Sequence, residues 1–341
     1  KYRTAGKNKD EVPIIDFRKE CREFAQHWIN VQREEFRRLG VEGDWENPYT
    51  TMTNAAEAQI VAEIGKFLMN GGLFRGSKPV LWSVVEKTAL AEAEVEYQDH
   101  TSDTIWVKFP VLKSPVKELD GANIVIWTTT PWTIPGNRAV AYGAGFEYVA
   151  FEVEAVADGA LVKAGDRLIV ASALKAAFDE AAKITRSRTF WTGKGDALKG
   201  IVARHPLAAL DPYYARFDVP AHPGDFVTTE AGTGFVHIAP GHGADDYDLG
   251  IAHGIEVPQT VSPDGTYFDH VGLFAGKRVL TPYGKKGDAN AAVIEKLKEA
   301  GNLVANGTMV HQYPHSWRSK APLIFRNTPQ WFISMEKNDL R

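Results

Sequence analysis

Two short segments concentrate the side chains able to do chemistry. In GTGFVHIAPGHGADDYDLG (232–250), a strand carrying Val236 and His237 runs into a turn at Ala239-Pro240-Gly241, followed by Asp245, Asp246 and Asp248. If the turn folds back, an imidazole and a carboxylate share a pocket, a pairing suited to gripping a cation or polarising a water. A solvated acidic surface turn would carry the same residues, because clustered titratable groups mark sites only as a tendency. His237, His242, Asp245 and Asp246 also include N and O metal ligands. No H-E-x-x-H or comparable spacing accompanies them, and the intervening glycines hold ligands poorly, so no metal site is expected.

The second segment is WTTTPWTIPGN (127–137). Three threonines close an apolar strand. Pro131 lacks an N–H and drives Thr130 into an extended conformation, so the strand ladder should stop there. The hydroxyls of Thr128, Thr129 and Thr130 and the freed amides could then bind a sugar hydroxyl or an oxyanion. Thr also favours strands for packing reasons alone.

These segments need elements to hold them. Residues 1–75 read as helical: Asp16 is a plausible N-cap for the stripe Phe17, Cys21, Phe24, Trp28, Val31, Leu39, which Gly40 stops. A second helix is expected from Asn54, with Glu57 three residues on, as far as Gly71-Gly72. From about residue 80 the period changes to short β-rich runs, VLWSVV, TIWVKFPV, ANIVIWTT, RAVAYG, EYVAFEVEA, DRLIVAS and FVHIAP, punctuated by Gly, Pro, Asp and Asn. Many short strands argue for a barrel or sandwich. Helices interrupt them at 173–183 and 288–301, and from His311 an aromatic, basic segment begins. An α/β chain in three parts follows: 1–85 helical, 86–310 a barrel-like body with peripheral helices, and 311–341 a return segment. That is the pattern of a domain inserted into a host fold.

Composition bounds the function classes. At 341 residues, 44% hydrophobic and 24% charged, the chain is an ordinary globular one with room for two or three domains. No run approaches the ~20 apolar residues of a membrane span, and the first residues hold no apolar signal region. The start lacks Met and reads as cut from a longer protein. A single cysteine, Cys21, excludes a disulfide framework and a Cys-rich zinc site and favours a reducing, cytoplasmic setting. The net charge of −4 disfavours a nucleic-acid coat protein, although a local basic strip can still track phosphates.

Taken together, the two segments resemble the inserted editing domain, connective polypeptide 1, of the class I synthetases for isoleucine, valine and leucine. That domain carries a threonine-rich strand and, later, G-T-G-x-V-H-x-A-P-x-H-x-x-x-D-Y, and both are present in order. The valine and leucine enzymes typically have T-T-R-P; here Thr130-Pro131-Trp132 resembles the isoleucine enzymes. GDWENPYTTM (43–52), TALAEAEVEY (88–97) and YPHSWRSKAPLIFRNTPQWF (313–332) extend the similarity over nearly the whole chain. The resemblance implies a fold in which the editing body projects from pieces of a Rossmann-type catalytic domain.

It also implies hydrolysis of valine misattached to the terminal adenosine of tRNA(Ile). One methylene is worth only ~1–3 kcal/mol in a hydrophobic pocket, a limit for which the isoleucine enzymes are the standard illustration, so a second site is needed. By motif position, Asp246 would anchor the α-ammonium and His237 would wall the side-chain pocket. Thr128, Thr129 and Thr130 would line it and meet the ribose or an attacking water. Asn137 would offer its amide, while Trp132, Arg138 and Lys285 are aromatic and basic candidates near the CCA end. With no nucleophile in the motifs, an oriented water is the expected attacker. ATP and Mg²⁺ belong to the whole ligase, expected to be monomeric. H-I-G-H and K-M-S-K-S are absent here, so this piece needs no cofactor and should not aminoacylate. The alternatives are a valine-enzyme editing domain that removes threonine, a catalytically silent tRNA-binding insertion, and a metal-dependent hydrolase.

Overall fold

The computed structural model describes residue 2 and residues 4–340. The chain divides into two compact units, one formed by residues up to 75 together with those from 331, the other by 76–330. The first holds α1 (Ile14–Arg38) and α2 (Asn54–Met69). Here the expected caps are displaced. Pro13 precedes α1, leaving Asp16 in its first turn, and Thr53 caps α2 by accepting the Ala56 N–H. Glu57 is instead ion-paired with Arg22. Gly40 ends α1 with φ +80°, a left-handed conformation that favours glycine.

The second unit carries the β-rich body. Its strands are β1 (Leu73–Ser83), β2 (Thr88–Ala89), β3 (Val95–Lys113), β4 (Asn123–Thr128), β5 (Ala139–Tyr142), β6 (Glu147–Val156), β7 (Arg167–Ala171), β8 (Ile184–Lys194), β9 (Val202–Arg204), β10 (Asp218–Pro223), β11 (Phe235–Ile238), β12 (Leu303–Ser316) and β13 (Ile324–Ile333). Helices α3 (Lys175–Ala182), α4 (Pro212–Ala215), α5 (Ala244–Ala252) and α6 (Ala289–Glu299) lie between them. Every β-run read from the sequence forms strand, and the helices read at 173–183 and 288–301 are α3 and α6.

Ten strands make one mixed sheet in the order β11-β5-β10-β9-β3-β4-β7-β6-β8, with β12 also paired to β3. β4–β7 and β5–β10 are parallel; the other ladders are antiparallel. The α/β class and the helix-flanked β body are as expected. Among the described residues the path ends on β11 and β8 and does not close into a barrel. The contact boundaries at 75/76 and 330/331 lie outside the anticipated edges at 85/86 and 310/311. Much of β1 and β13 belongs to the body, as does β12, which pairs with β3 from Val95 to Val107.

Both faces of the sheet are covered, which explains the nearly unbroken apolar runs. Along β4, Ile124 and Ile126 enter one core with Phe109, Ile134 and Val140, while Val125 enters another with Phe151, Val170 and Phe178 of α3. Strand β6 alternates in the same way, Tyr148 and Ala150 to the first, Val149 and Phe151 to the second. Placed between two cores, β4 has little freedom to move, and the threonines sit at its end.

Candidate active site

Beyond β4 the chain turns through a buried 3₁₀ helix, Pro131–Gly136, before entering β5. Strand β11 pairs antiparallel with β5, setting His237 opposite Val140 and Ile238 opposite Ala139. This ladder brings the two motifs together although a hundred residues separate them.

Ladder and turn form a closed hydrogen-bond chain. Asn137 Nδ2 donates to His237 Nδ1 (3.1 Å) and to the Ala139 carbonyl (2.8 Å). His237 therefore carries its proton on Nε2 and donates to Thr133 Oγ1 at 2.8 Å. Thr133 Oγ1 in turn donates to the Thr130 carbonyl at 2.8 Å. Burial lowers the His237 imidazole to about 3, with the neighbouring His242 adding to the effect, so the ring is neutral at physiological pH. Asn137 is fully buried and its Oδ1 has no partner.

The threonine end is differently arranged. Thr128 Oγ1 accepts the Thr130 N–H at 3.0 Å, capping the broken ladder from within. The Thr133 N–H bonds the Thr130 carbonyl, and the Trp132 N–H bonds Asn290 Oδ1 at 3.1 Å. The amides freed by Pro131 are thus largely satisfied inside the protein, and hydroxyls are what remain for a ligand. Thr129, Thr130 and Trp132 line a partly open cavity of about 130 Å³. Its aliphatic walls include Val279, Leu280 and Ile324, and its polar side includes Asp103 and Asn290. Asn290 Nδ2 donates to Asp103 at 2.7 Å, and Lys286 pairs with the same carboxylate at 2.6 Å.

Neither His237, Asn137 nor Asp246 lines that cavity. Asp246 occupies the first turn of α5, where its Oδ1 accepts the Ala239 N–H at 2.7 Å. A Cβ at Gly243 would stand 2.2 Å from Asp246 Oδ2, so a side chain there would displace the carboxyl from its place over the turn. Burial raises the Asp246 carboxyl to about 6 against the two backbone amides that lower it, and Asp245 raises it slightly further. His242 links the two corners. Its Nδ1 donates to the Phe325 carbonyl (2.9 Å), its Nε2 accepts from Thr260, and its ring meets Trp132 edge-on at 4.8 Å.

Trp132, 6% exposed, is therefore a wall of the cavity rather than an open platform. Arg138 is buried as well, held by the Asn137 carbonyl, Glu256 and the face of Phe217, which removes it from the candidates for contacting RNA. Lys285 is exposed. Asp103 and Asn290 escaped the sequence reading. Asn290 stands in the opening turn of the helix read at 288–301, but nothing in one sequence ties it to the turn after the threonines.

The family model for class I tRNA synthetases (I, L, M and V) matches residues 1–341. The chain belongs to the class I tRNA synthetases. Within that family, this synthetase chain is 56% identical to the isoleucine–tRNA ligase of Caulobacter vibrioides, over 98% of its own length and 35% of the relative's. It is 53% identical to that of Bradyrhizobium diazoefficiens (99% and 35%) and 52% to that of Pelagibacter ubique (100% and 36%). The chain thus spans about 35% of the length of the curated relatives it matches. Thr130-Pro131-Trp132 agrees with this likeness to isoleucine ligases. Among solved structures, a leucyl-tRNA synthetase editing domain from P. knowlesi overlaps 46% of the synthetase chain and 66% of its own, at 13% identity and a TM-score of 0.35. Among the described residues no helix is long and apolar enough to cross a membrane.

Proposed function

We propose that this chain is the post-transfer editing part of an isoleucine–tRNA ligase, hydrolysing the ester of valyl-tRNA(Ile). The observation that carries this reading is the small, partly open cavity between hydroxyls and aliphatic walls at the end of β4. Such a space accepts a short aliphatic side chain and presents Thr129 and Thr130 to the polar end of the ligand. A water held by these hydroxyls attacks the ester carbonyl, and the terminal ribose hydroxyl departs. Cys21 lies on α1, outside both motifs, so no covalent step is assigned to it.

Asp246 is the proposed anchor of the α-ammonium, a carboxylate being the natural partner of that cation. With its carboxyl at about 6 it is mostly ionised at neutral pH. His237, locked between Thr133 and Asn137, limits the size of what can enter by fixing the Thr130–Thr133 turn. The whole ligase would join isoleucine to tRNA(Ile) with ATP and Mg²⁺. The step proposed here is assigned to this chain's own side chains and a water. A second reading, a silent tRNA-binding insertion, draws on the engagement of Asp246 Oδ1 by the Ala239 N–H.

Release of labelled amino acid from valyl-tRNA(Ile) and isoleucyl-tRNA(Ile) tests the proposal. At least a hundredfold faster release of valine is expected. Equal rates, or no release from either, overturn it.

A further inference from the structure

The 3₁₀ turn that follows the threonines is capped from outside. Thr130 stands at its N-cap, where a threonine hydroxyl ordinarily accepts an N–H two or three residues on. Here that hydroxyl makes no such bond. The Trp132 N–H is taken instead by Asn290 Oδ1 at 3.1 Å, from the first turn of α6. Thr130 Oγ1 is left to the Thr129 hydroxyl, 3.4 Å away, and to the cavity.

The Asn290 amide is held in one orientation. Its Nδ2 donates to Asp103 at 2.7 Å, a β3 carboxylate that is also paired with Lys286 at 2.6 Å. A flipped amide would set its oxygen against the carboxylate and its NH₂ against the Trp132 N–H. On the other side the Trp132 carbonyl accepts the Tyr267 hydroxyl. Ala289, Val293 and Leu297 seat α6 in the core that also holds Trp132 and Ile134. The acceptor offered to the Trp132 N–H is therefore fixed by β3, by α6 and by the loop that carries Lys286.

We propose that Asn290 is a positioning residue that caps the turn in place of Thr130 and so keeps the Thr130 hydroxyl free for the ligand. The inference rests on the editing reading above. Two acceptors, Asn290 Oδ1 and Thr130 Oγ1, stand within reach of one donor. Without Asn290, the Thr130 hydroxyl turns back to accept the Trp132 N–H, as an N-cap threonine does, and the attacking water loses that partner.

The test is a two-residue cycle on the chain as it stands, with Thr130→Val removing the hydroxyl but keeping the branched shape. It reads valine release from valyl-tRNA(Ile), and hydrogen exchange at the Trp132 amide followed by NMR. Exchange at the core amides of β4 reports that each variant is folded. Thr130→Val and Asn290→Ala should each lower kcat about tenfold with KM within about twofold, and the double variant should be no worse than either. Independent contributions would instead multiply to about a hundredfold. Trp132 exchange should stay slow in both single variants, because one acceptor remains in each, and rise at least tenfold in the double. Thr130→Val combined with Asn290→Asp, which restores an acceptor, should exchange slowly again. Multiplied losses in kcat, fast exchange in Asn290→Ala alone, or no restoration by Asn290→Asp overturns the cap exchange even where valine is still released. The expected exchange pattern without any valine release supports the cap exchange and overturns the hydrolytic reading alone.

Discussion

The threonine corner and the histidine corner are built from neighbouring strands yet spend their polar groups in opposite ways. At the end of β4, Thr129 and Thr130 face a cavity. Around β11, His237, Asn137 and Thr133 bond one another, leaving only Asn137 Oδ1 without a partner, and Asp246 is held at the Ala239 amide. The first corner offers hydroxyls to a ligand; the second fixes the geometry in which they are offered, with the Asp246 carboxylate as the one group proposed to reach the ligand from it. A histidine–aspartate motif can therefore matter for reaction without either ring or carboxyl lining the cavity.

Four measurements break or sharpen that contrast. The largest effect is expected at Asp246. Asp246→Ala should lower valyl-tRNA hydrolysis about 10²-fold or more, a loss typical of a displaced substrate. Asp246→Asn keeps an acceptor for the Ala239 N–H but loses the charge. An equal loss in both assigns Asp246 to the ammonium, whereas near-normal activity in the Asn variant reduces it to a brace for the turn.

Next comes His237→Ala, which strands Asn137 Nδ2 and Thr133 in the core. Urea unfolding should show a loss of about 1–3 kcal/mol, the range for a buried hydrogen-bonding group left unpaired. Isoleucyl-tRNA should also become a substrate. Unchanged discrimination would confine His237 to stability.

Acid should act on the same corner. Burial lowers His205, whose Nε2 donates to the Ile134 carbonyl of the 3₁₀ turn, and His237 to about 3 and His242 to about 4, from 6.5. Unfolding below pH 6.5 therefore takes up protons at all three, and stability falls as pH falls through that window. Asp246 has the opposite sign. Raised from 3.8 to about 6, it releases a proton on unfolding between those values and partly offsets the histidines. Near pH 5 the net uptake from these four groups should be about two protons, read from the slope of unfolding free energy against pH. A flat slope would show that the imidazoles are open to solvent.

The smallest effect is expected from Thr129→Ala. A single hydroxyl beside an intact Thr130 should cost less than tenfold in rate, with little change in stability. A larger drop would give Thr129 a specific hold on the attacking water.

Much of the body was legible because hydrophobic runs, glycines and prolines report local conformation. Each run named as strand is strand, and Pro131 ends β4 as its chemistry requires. The helix caps were misread because Asp16 and Asn54 compete with better-placed neighbours, Pro13 and Thr53, one to three residues away. Strands β2, β8, β9, β10, β12 and β13 were missed. β8 (ITRSRTFWTGK) and β12 (LVANGTMVHQYPHS) are polar on exposed stretches, and their place comes from long-range pairing. The open sheet was equally out of reach, since closure depends on which strands meet at the ends. At the site, it was the family resemblance that implied the two segments belong together; the β5–β11 ladder is what joins them. The resemblance could not show that Asn137 points into the protein, or that Asp103 and Asn290 complete the cavity.

The β3–β12 ribbon has a consequence for how such a body can be moved. Val95 and Ser316 are register partners, so the start and finish of an excursion of more than two hundred residues lie one strand spacing apart, ~5 Å. Whatever carries these two ends needs to supply only a pair of neighbouring attachment points. The body between them is then close to a graftable cassette, one to be moved together with the start of β13, whose Ile324 completes the cavity wall.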